Sequence, residues 1–291
     1  MSAVKPRFRE IGEGDLEAIA DLLTRGFVYR GRDYWMRGLE RQSSRPLPEG
    51  APRYGYLIEH ENKPVGCLLL IYSLKTLEGQ AVTFCNVSSW YVDPEFRNYA
   101  ALFASMTQKR KDVIYSNVTP AQSTWPILEA QGFKAYCRGL YFSLPVLSRA
   151  GRGMRVEAVT PQTIAITGLP DDELAILKRH TAYGCISLVC RSADESVPFI
   201  FFRLRKRRGI IPLPVLQLGF CRTLDDYARC SGALGRFLLR RGTPVVISDA
   251  NGAMKGVAGI YSEAYGRKYF KGPHCPALGD LADTELAIFG M

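Results

Sequence analysis

Residues 93–106, DPEFRNYAALFASM, hold the clearest chemical potential in the chain. They follow AVTFCNVSSWYV, an apolar run that reads as a long strand, and they read as a loop that opens a helix. A helix start offers backbone N–H groups without partners and the positive end of the helix dipole. A phosphate or pyrophosphate fits such a place. Arg97 adds a fixed positive charge, and Asn98, Tyr99, Ala100, Ala101 and Leu102 continue the turn that would supply the N–H groups. Glycine is the usual residue where backbone must approach phosphate closely. Here Asn98, Tyr99 and Ala100 stand in its place. Asn98 tolerates a left-handed conformation better than most residues, and Ala100 is small. The stretch is predicted to be a usable phosphate cradle that lacks the ideal residues.

Other reactive groups are few. Eight cysteines stand at 67, 85, 137, 185, 190, 221, 230 and 275, with no C-x-x-C pair, and there are three histidines. That spacing does not suit zinc, and no metal is expected. Cys67, Cys85, Cys185 and Cys190 lie in apolar strand-like runs, where buried free thiols are the plain reading. Apolar surroundings raise a thiol pKa, which argues against Cys185 or Cys190 as a nucleophile. The net charge of +10 suits polyanionic partners, namely nucleic acid, an acidic membrane surface or a phosphorylated cofactor. The densest basic run, RLRKRRG at 203–209, joins two apolar runs and reads as a solvated hairpin tip. No motif interleaves aromatics with the basic residues, so a nucleic-acid-binding module is not expected.

The elements that must position these groups follow from periodicity. PRFREIG reads as a strand, GDLEAIADLLTRGF as a helix with apolar residues at Leu16, Ile19, Ala20, Leu22 and Leu23, and 33–41 as a second helix. RYGYLIEH and VGCLLLIYSL form a hairpin across ENKP, and AVTFCNVSSWYV is a third strand. After the helix of 93–106 come the strand DVIYSNV, the short helix STWPILEAQGF ending at Gly132, and the strand KAYCRGLYFSL. The order β-α-α-β-β-β-α-β-α-β predicts an α+β (mixed α/β) fold, with a mixed sheet and helices on both faces.

SRAGRGM at 148–154 reads as a linker. Beyond it DELAILKRHTAY is helical and CISLVCRS a strand. VPFIFFRLRKRRGIIPLPVLQLGF is a hairpin, LDDYARCSGALGRFLLRRG a helix and PVVISDA a strand, with ELAIFGM as a final strand. The halves align without gaps at one place. Residues 97–102 lie over 229–234, and 112–117 over 244–249. This predicts an internal duplication, with domains at 1–147 and 155–291. The composition, with 47% hydrophobic and 23% charged residues, is that of a globular protein, with no apolar run near the ~20 residues of a membrane helix. Without an apolar leader, a cytoplasmic location is expected.

YVDPEFRNYAALFASM, DVIYSNV and STWPILEAQGFKAY together resemble the GNAT superfamily of acyl-CoA N-acyltransferases. Val92-Asp93-Pro94, Arg97 and Gly132-Phe133 carry the likeness, which covers residues 6–147 well and 155–291 more weakly. The resemblance implies two GNAT-like repeats, each a mixed, mostly antiparallel sheet flanked by helices. It implies acetyl-CoA or another acyl-CoA as co-substrate, held by Trp90, Tyr91, Val92 and residues 97–102, and a small amine-bearing acceptor such as an amino sugar, amino acid or polyamine. The second repeat has Gly232 opposite Ala100, but Asp225 and Asp226 would repel a pyrophosphate, so the first repeat is expected to hold the co-substrate.

Acyl transfer to an amine needs a base, an acid for the leaving thiolate and donors for the developing oxyanion. Many relatives place a Glu in the strand before V-x-P, where this chain has Thr83, Cys85, Asn86, Ser88 and Ser89. Where relatives often carry a Tyr, it has Leu128. Asn86 and Ser88 are then candidate donors to the acyl carbonyl. His180, near the end of a helix, and Asp249, at the end of PVVIS, are candidate bases. Two alternatives stay open: a degenerate, non-catalytic GNAT module that binds CoA thioesters, and a tRNA-dependent aminoacyltransferase of the peptidoglycan-bridge type.

Overall fold

The computed structural model describes residues 5–77, 79–151, 153–208 and 211–290. In chain order its elements are β1 (Arg7–Glu10), α1 (Leu16–Gly26), α2 (Arg32–Ser43), β2 (Gly55–His60), β3 (Lys63–Leu77), β4 (Gln80–Val92), α3 (Ala100–Thr107), β5 (Val113–Asn117), α4 (Trp125–Ala130), β6 (Lys134–Cys137) and β7 (Gly139–Ser143). There follow β8 (Arg155–Ala158), α5 (Asp171–Ala182), β9 (Ile186–Arg191), β10 (Ser196–Arg208), β11 (Ile211–Phe220), α6 (Leu224–Leu239), β12 (Val245–Ala250), β13 (Gly259–Ser262), β14 (Lys268–Lys271) and α7 (Glu285–Ile288). The fold is α+β with two seven-stranded mixed sheets, ordered β1-β2-β3-β4-β5-β14-β6 and β13-β7-β12-β11-β10-β9-β8. Among the described residues no helix is long and apolar enough to cross a membrane.

The chain forms two compact units. The first holds residues 5–134, 268–276 and 283–289, and the second 135–267, 277–282 and 290. This division is interleaved, unlike the sequential stretches 1–147 and 155–291. KAYCRGLYFSL, expected as one strand, breaks at Arg138 into β6 in the first sheet and β7 in the second. The first sheet takes β14 instead, which pairs antiparallel with β5 through Tyr269–Asn117, Phe270–Ser116 and Lys271–Tyr115.

In the first unit β3 is buried on both faces. Cys67, Leu69 and Ile71 pack with α1 and α2 through Ile19, Leu22, Leu23, Trp35 and Leu39. Leu68, Leu70 and Tyr72 alternate to the other face and join Phe103 of α3 and Leu128 of α4. This explains the unbroken apolar run there. The cysteines described are free thiols: Cys67 and Cys85 are buried, and desolvation pushes both thiols well above their ordinary range. Cys190 departs from expectation. Its Sγ donates to Met154 Sδ at 3.6 Å, and its thiol pKa is lowered by the neighbouring Cys230 thiol and by the positive field of Arg229 and Arg236.

In the second unit, α6 begins earlier than the repeat alignment implies. Thr223 caps it, its Oγ1 accepting from the Asp226 N–H at 3.0 Å. Residues 229–234 therefore lie inside a 16-residue helix, where backbone N–H groups are spent on the helix itself. The 148–154 stretch is no free linker. A Cβ at Gly232 would lie 2.3 Å from the Ala150 carbonyl, and one at Gly235 would lie 2.1 Å from the Val146 nitrogen. Ala normally beats Gly in a helix interior by ~1 kcal/mol. Gly235→Ala is nevertheless expected to destabilise by about 1–3 kcal/mol through overpacking, read as a lower urea midpoint. The tip of the basic hairpin, Gly209 with its neighbour at 210, falls outside the described residues.

Candidate active site

The site starts from an irregularity in β4. Along the antiparallel β3–β4 ladder, Leu68 faces Trp90 and Leu70 faces Val87. Leu69 alone thus opposes both Ser88 and Ser89, which makes a β-bulge on β4. Bulges end regular pairing and re-aim side chains. On its other edge β4 runs parallel to β5, with Thr83, Phe84, Cys85 and Asn86 facing Val113, Ile114, Tyr115 and Ser116, and the ladder stops there. The Asn86 Nδ2 donates to the Ser116 carbonyl at 3.2 Å across the last pair. Residues 87–92 of β4 continue beyond that point, while the β5 chain turns at Thr119-Pro120, and proline has no N–H to extend a ladder. The two strands therefore open just past Asn86, at the bulge.

At the far end of β4 the Asp93 N–H is fixed on the Val65 carbonyl at 2.8 Å. Pro94–Tyr99 is a 3₁₀ turn, and α3 starts at Ala100. The open cradle expected at 97–102 is wound more tightly. The Phe96 N–H bonds the Asp93 carbonyl and the Ala100 N–H bonds the Arg97 carbonyl, so two donors are already spent. Asn98 is not left-handed: outside glycine, Glu61 and Asn62 are the positive-φ residues among those described. Without glycine the loop takes helical angles instead. Arg97, Asn98, Ala101 and Leu102 are exposed, so charge and surface remain available. The same turn borders a 520 Å³ recess lined by His60, Lys63, Glu61, Asp93 and Glu95 among others, where three carboxylates disfavour a phosphate.

The strand residues divide by face. Tyr91 turns to α1, its ring 6.3 Å from that of Phe27 and close enough to Gly26 to exclude a Cβ there. Val92 is core. Trp90 packs on the α3 face, and its indole N–H is buried without a partner among the described residues.

A carboxylate stands at the opening after all. ELAIFGM, expected as a strand, forms the short helix α7, which belongs to the first unit. The Glu285 N–H donates to Asn86 Oδ1 at 2.8 Å. Ser88 Oγ donates to Glu285 Oε2 at 2.5 Å, and Thr119 Oγ1 donates to Oε1. Asn86 and Ser88, expected to face an acyl carbonyl, thus face Glu285. Desolvation pushes the Glu285 carboxyl above its usual range against the pull of Ser88, Thr119 and Lys268. The residue as a whole keeps part of its surface and Thr119 is exposed. The Glu285 carboxylate bridges β4 and the chain just after β5. Its segment is held firmly. Arg41 Nη1 donates to the Ile288 carbonyl at 3.0 Å, Arg45 pairs with Asp283 at 2.8 Å, and the Phe289 ring lies 5.8 Å from that of Trp35.

His180 and Asp249 belong to the second unit. His180 is fully buried, with Nδ1 2.7 Å from the Ile176 carbonyl and Nε2 2.8 Å from the Ala282 carbonyl. With both ring nitrogens engaged by backbone, the imidazole ties α5 to a loop and does not serve as a base. Asp249 is buried in β12 beside Gln217 Nε2 at 3.5 Å.

Solved structures share this fold. A GCN5-related N-acetyltransferase from Anabaena variabilis ATCC 29413 aligns with TM-score 0.56 at 11% identity, over 91% of this chain and 72% of its own. A conserved protein of unknown function from Enterococcus faecalis V583 aligns with TM-score 0.59 at 9% identity, over 96% and 74%. A GCN5-related N-acetyltransferase from Kribbella flavida aligns with TM-score 0.55 at 13% identity, over 91% and 70%. The chain therefore has the GNAT fold. No family model matches its sequence, and no curated protein does.

Proposed function

We propose that this protein is an acyl-CoA-dependent acyltransferase that moves an acetyl group to a small amine, and that its two sheets descend from one duplicated domain. The observation that carries the reading is the parting of β4 from β5 at the Ser88–Ser89 bulge, directly before the turn that opens α3. A thioester laid along residues 87–92 would meet strand N–H groups no longer used by β5. Such fixed donors stabilise charge on a carbonyl oxygen as it develops. The exposed Arg97 would take the pyrophosphate, and the buried Trp90 N–H is a spare donor on the α3 side. The acetyl group follows the names of the Anabaena and Kribbella proteins.

The test is loss of the acetyl-CoA thioester, followed by free thiol release, in the presence of a panel of amino sugars, amino acids and polyamines. Release with at least one amine, well above the rate without amine, is the expected result. Binding without release from any amine would favour a non-catalytic CoA-thioester module. No binding at all would contradict the proposal.

A further inference from the structure

We propose that Glu285 is the general base of the transfer, supplied to the β4–β5 opening by the late segment Asp283–Phe289. The inference rests on the acyltransferase reading above and deepens it. An amine attacks a thioester only when its nitrogen lone pair is free, and a proton must leave that nitrogen as the C–N bond forms. A base for this step must lie at the point where acyl donor and amine meet. Four polar groups converge there: Asn86 and Ser88 on β4, Thr119 beyond β5, and Glu285 on α7. Of these only Glu285 can take a proton.

The surroundings hold the carboxylate in place and tune it. Asn86 fixes the α7 backbone, while the Ser88 and Thr119 hydroxyls fix one carboxylate oxygen each. Lys268 on β14 and Tyr34 on α2 are titratable groups that also interact with Glu285. Lys268 favours its charged form, and the Tyr34 phenol is itself raised, chiefly by burial and in lesser part by Glu285. A carboxyl raised by desolvation is a stronger base than one in water, which suits proton removal from an amine. A salt-bridged structural carboxylate would show the opposite shift.

The step balances as follows. The amine nitrogen attacks the thioester carbonyl, the C–N bond forms, and one N–H proton passes to a Glu285 oxygen. The C–S bond then breaks, and the departing sulfur takes a proton from Glu285 or from water. Thioester and amine give amide and thiol. An acceptor that arrives as ammonium first gives its extra proton to Glu285, which passes it to water.

The experiment compares wild type with Glu285→Gln, using acetyl-CoA and an amine that the wild type turns over. Gln keeps the shape and can accept one hydroxyl hydrogen bond, but it cannot take a proton. The expected result is a loss of kcat on the order of 10²–10³-fold, with the acetyl-CoA Kd changed less than about threefold. The wild-type kcat/KM should rise with pH through the Glu285 pKa and then level, and that limb should vanish in the variant. Melting gives a second, independent readout. A carboxyl whose folded pKa is raised opposes folding above its unfolded pKa, so Glu285→Gln should melt at or above the wild-type temperature at pH 8. Retained turnover with an unchanged pH limb overturns the Glu285 role and leaves the acyltransferase reading intact. Lost turnover with a melting temperature lowered by roughly 5 °C or more makes Glu285 a structural tie and overturns the role too. A wild type that neither binds nor turns over acetyl-CoA overturns both.

Discussion

Asp283→Ala is expected to destabilise the first unit by about 3–5 kcal/mol, the cost of leaving a buried charge without its partner. Arg45 is the charge concerned. Its side chain is 4% exposed, and its Nη2 meets Asp283 Oδ1 at 2.8 Å, with the Asp283 side chain 11% exposed. Its Nη1 is buried with no partner among the described residues, so no other carboxylate there relieves it. The effect should appear as a lower urea midpoint, with acetyl-CoA turnover lost at lower denaturant than global unfolding, because the same segment carries Glu285. Replacing Arg45 and Asp283 together by Leu and Ala should recover part of the loss, since the stranded charge goes as well. A single variant with unchanged stability would show that the ion pair does not anchor the segment.

Deletion of Ser89 is expected to weaken acetyl-CoA binding strongly while costing little stability. It removes the extra residue of β4, so Val87, Ser88 and Trp90 would face Leu70, Leu69 and Leu68 in a regular antiparallel ladder. Trp90, Tyr91 and Val92 would keep their faces, and the α3-side core and the seat of Tyr91 against Gly26 would stay filled. What goes is the local bend and extra twist that a bulge gives its strand. Without them β4 no longer turns away from β5 past Asn86, and the acetyl-CoA Kd should rise by about tenfold or more, ~1.4 kcal/mol. Ser89→Ala keeps the residue count and is the control, expected to stay near wild type in both melting and binding. A deletion variant that still binds acetyl-CoA like wild type would show that the bulge does not build the opening.

Much of the first unit was legible because its signals are local. The double-sided burial of β3 shows in VGCLLLIYSL, and the strand AVTFCNVSSWYV running into Pro94 and a helix is a continuous stretch. The site was legible only on one side. Asn86 and Ser88 could be singled out on the strand, but Glu285, to which they hydrogen-bond, comes from about 200 residues later in the chain, and no periodicity reports that approach. ELAIFGM is a short apolar run, and such a run does not distinguish strand from helix. Thr284 before Glu285 was the available hint of a helix start. β14 was missed because KYFK is four residues long and pairs with β5 from far away in sequence. His180 was singled out for its chemistry, whereas its role is set by the carbonyls of Ile176 and Ala282, which carry no sequence signature. Gly232 aligns opposite Ala100 of the first half, but it and Gly235 answer to the close approach of the chain at 145–150.

The most direct test of the central claim, that the β4–β5 opening and the turn after it hold an acyl-CoA, is calorimetric titration of acetyl-CoA and free CoA into wild type and Arg97→Glu side by side. The account predicts micromolar binding of both ligands to wild type. In the variant it predicts binding weaker by roughly 10–100-fold, as expected when one charge-assisted contact to phosphate is lost and reversed. Wild-type binding untouched by the substitution would move the phosphate away from the turn after β4, and no binding of either ligand would contradict the account.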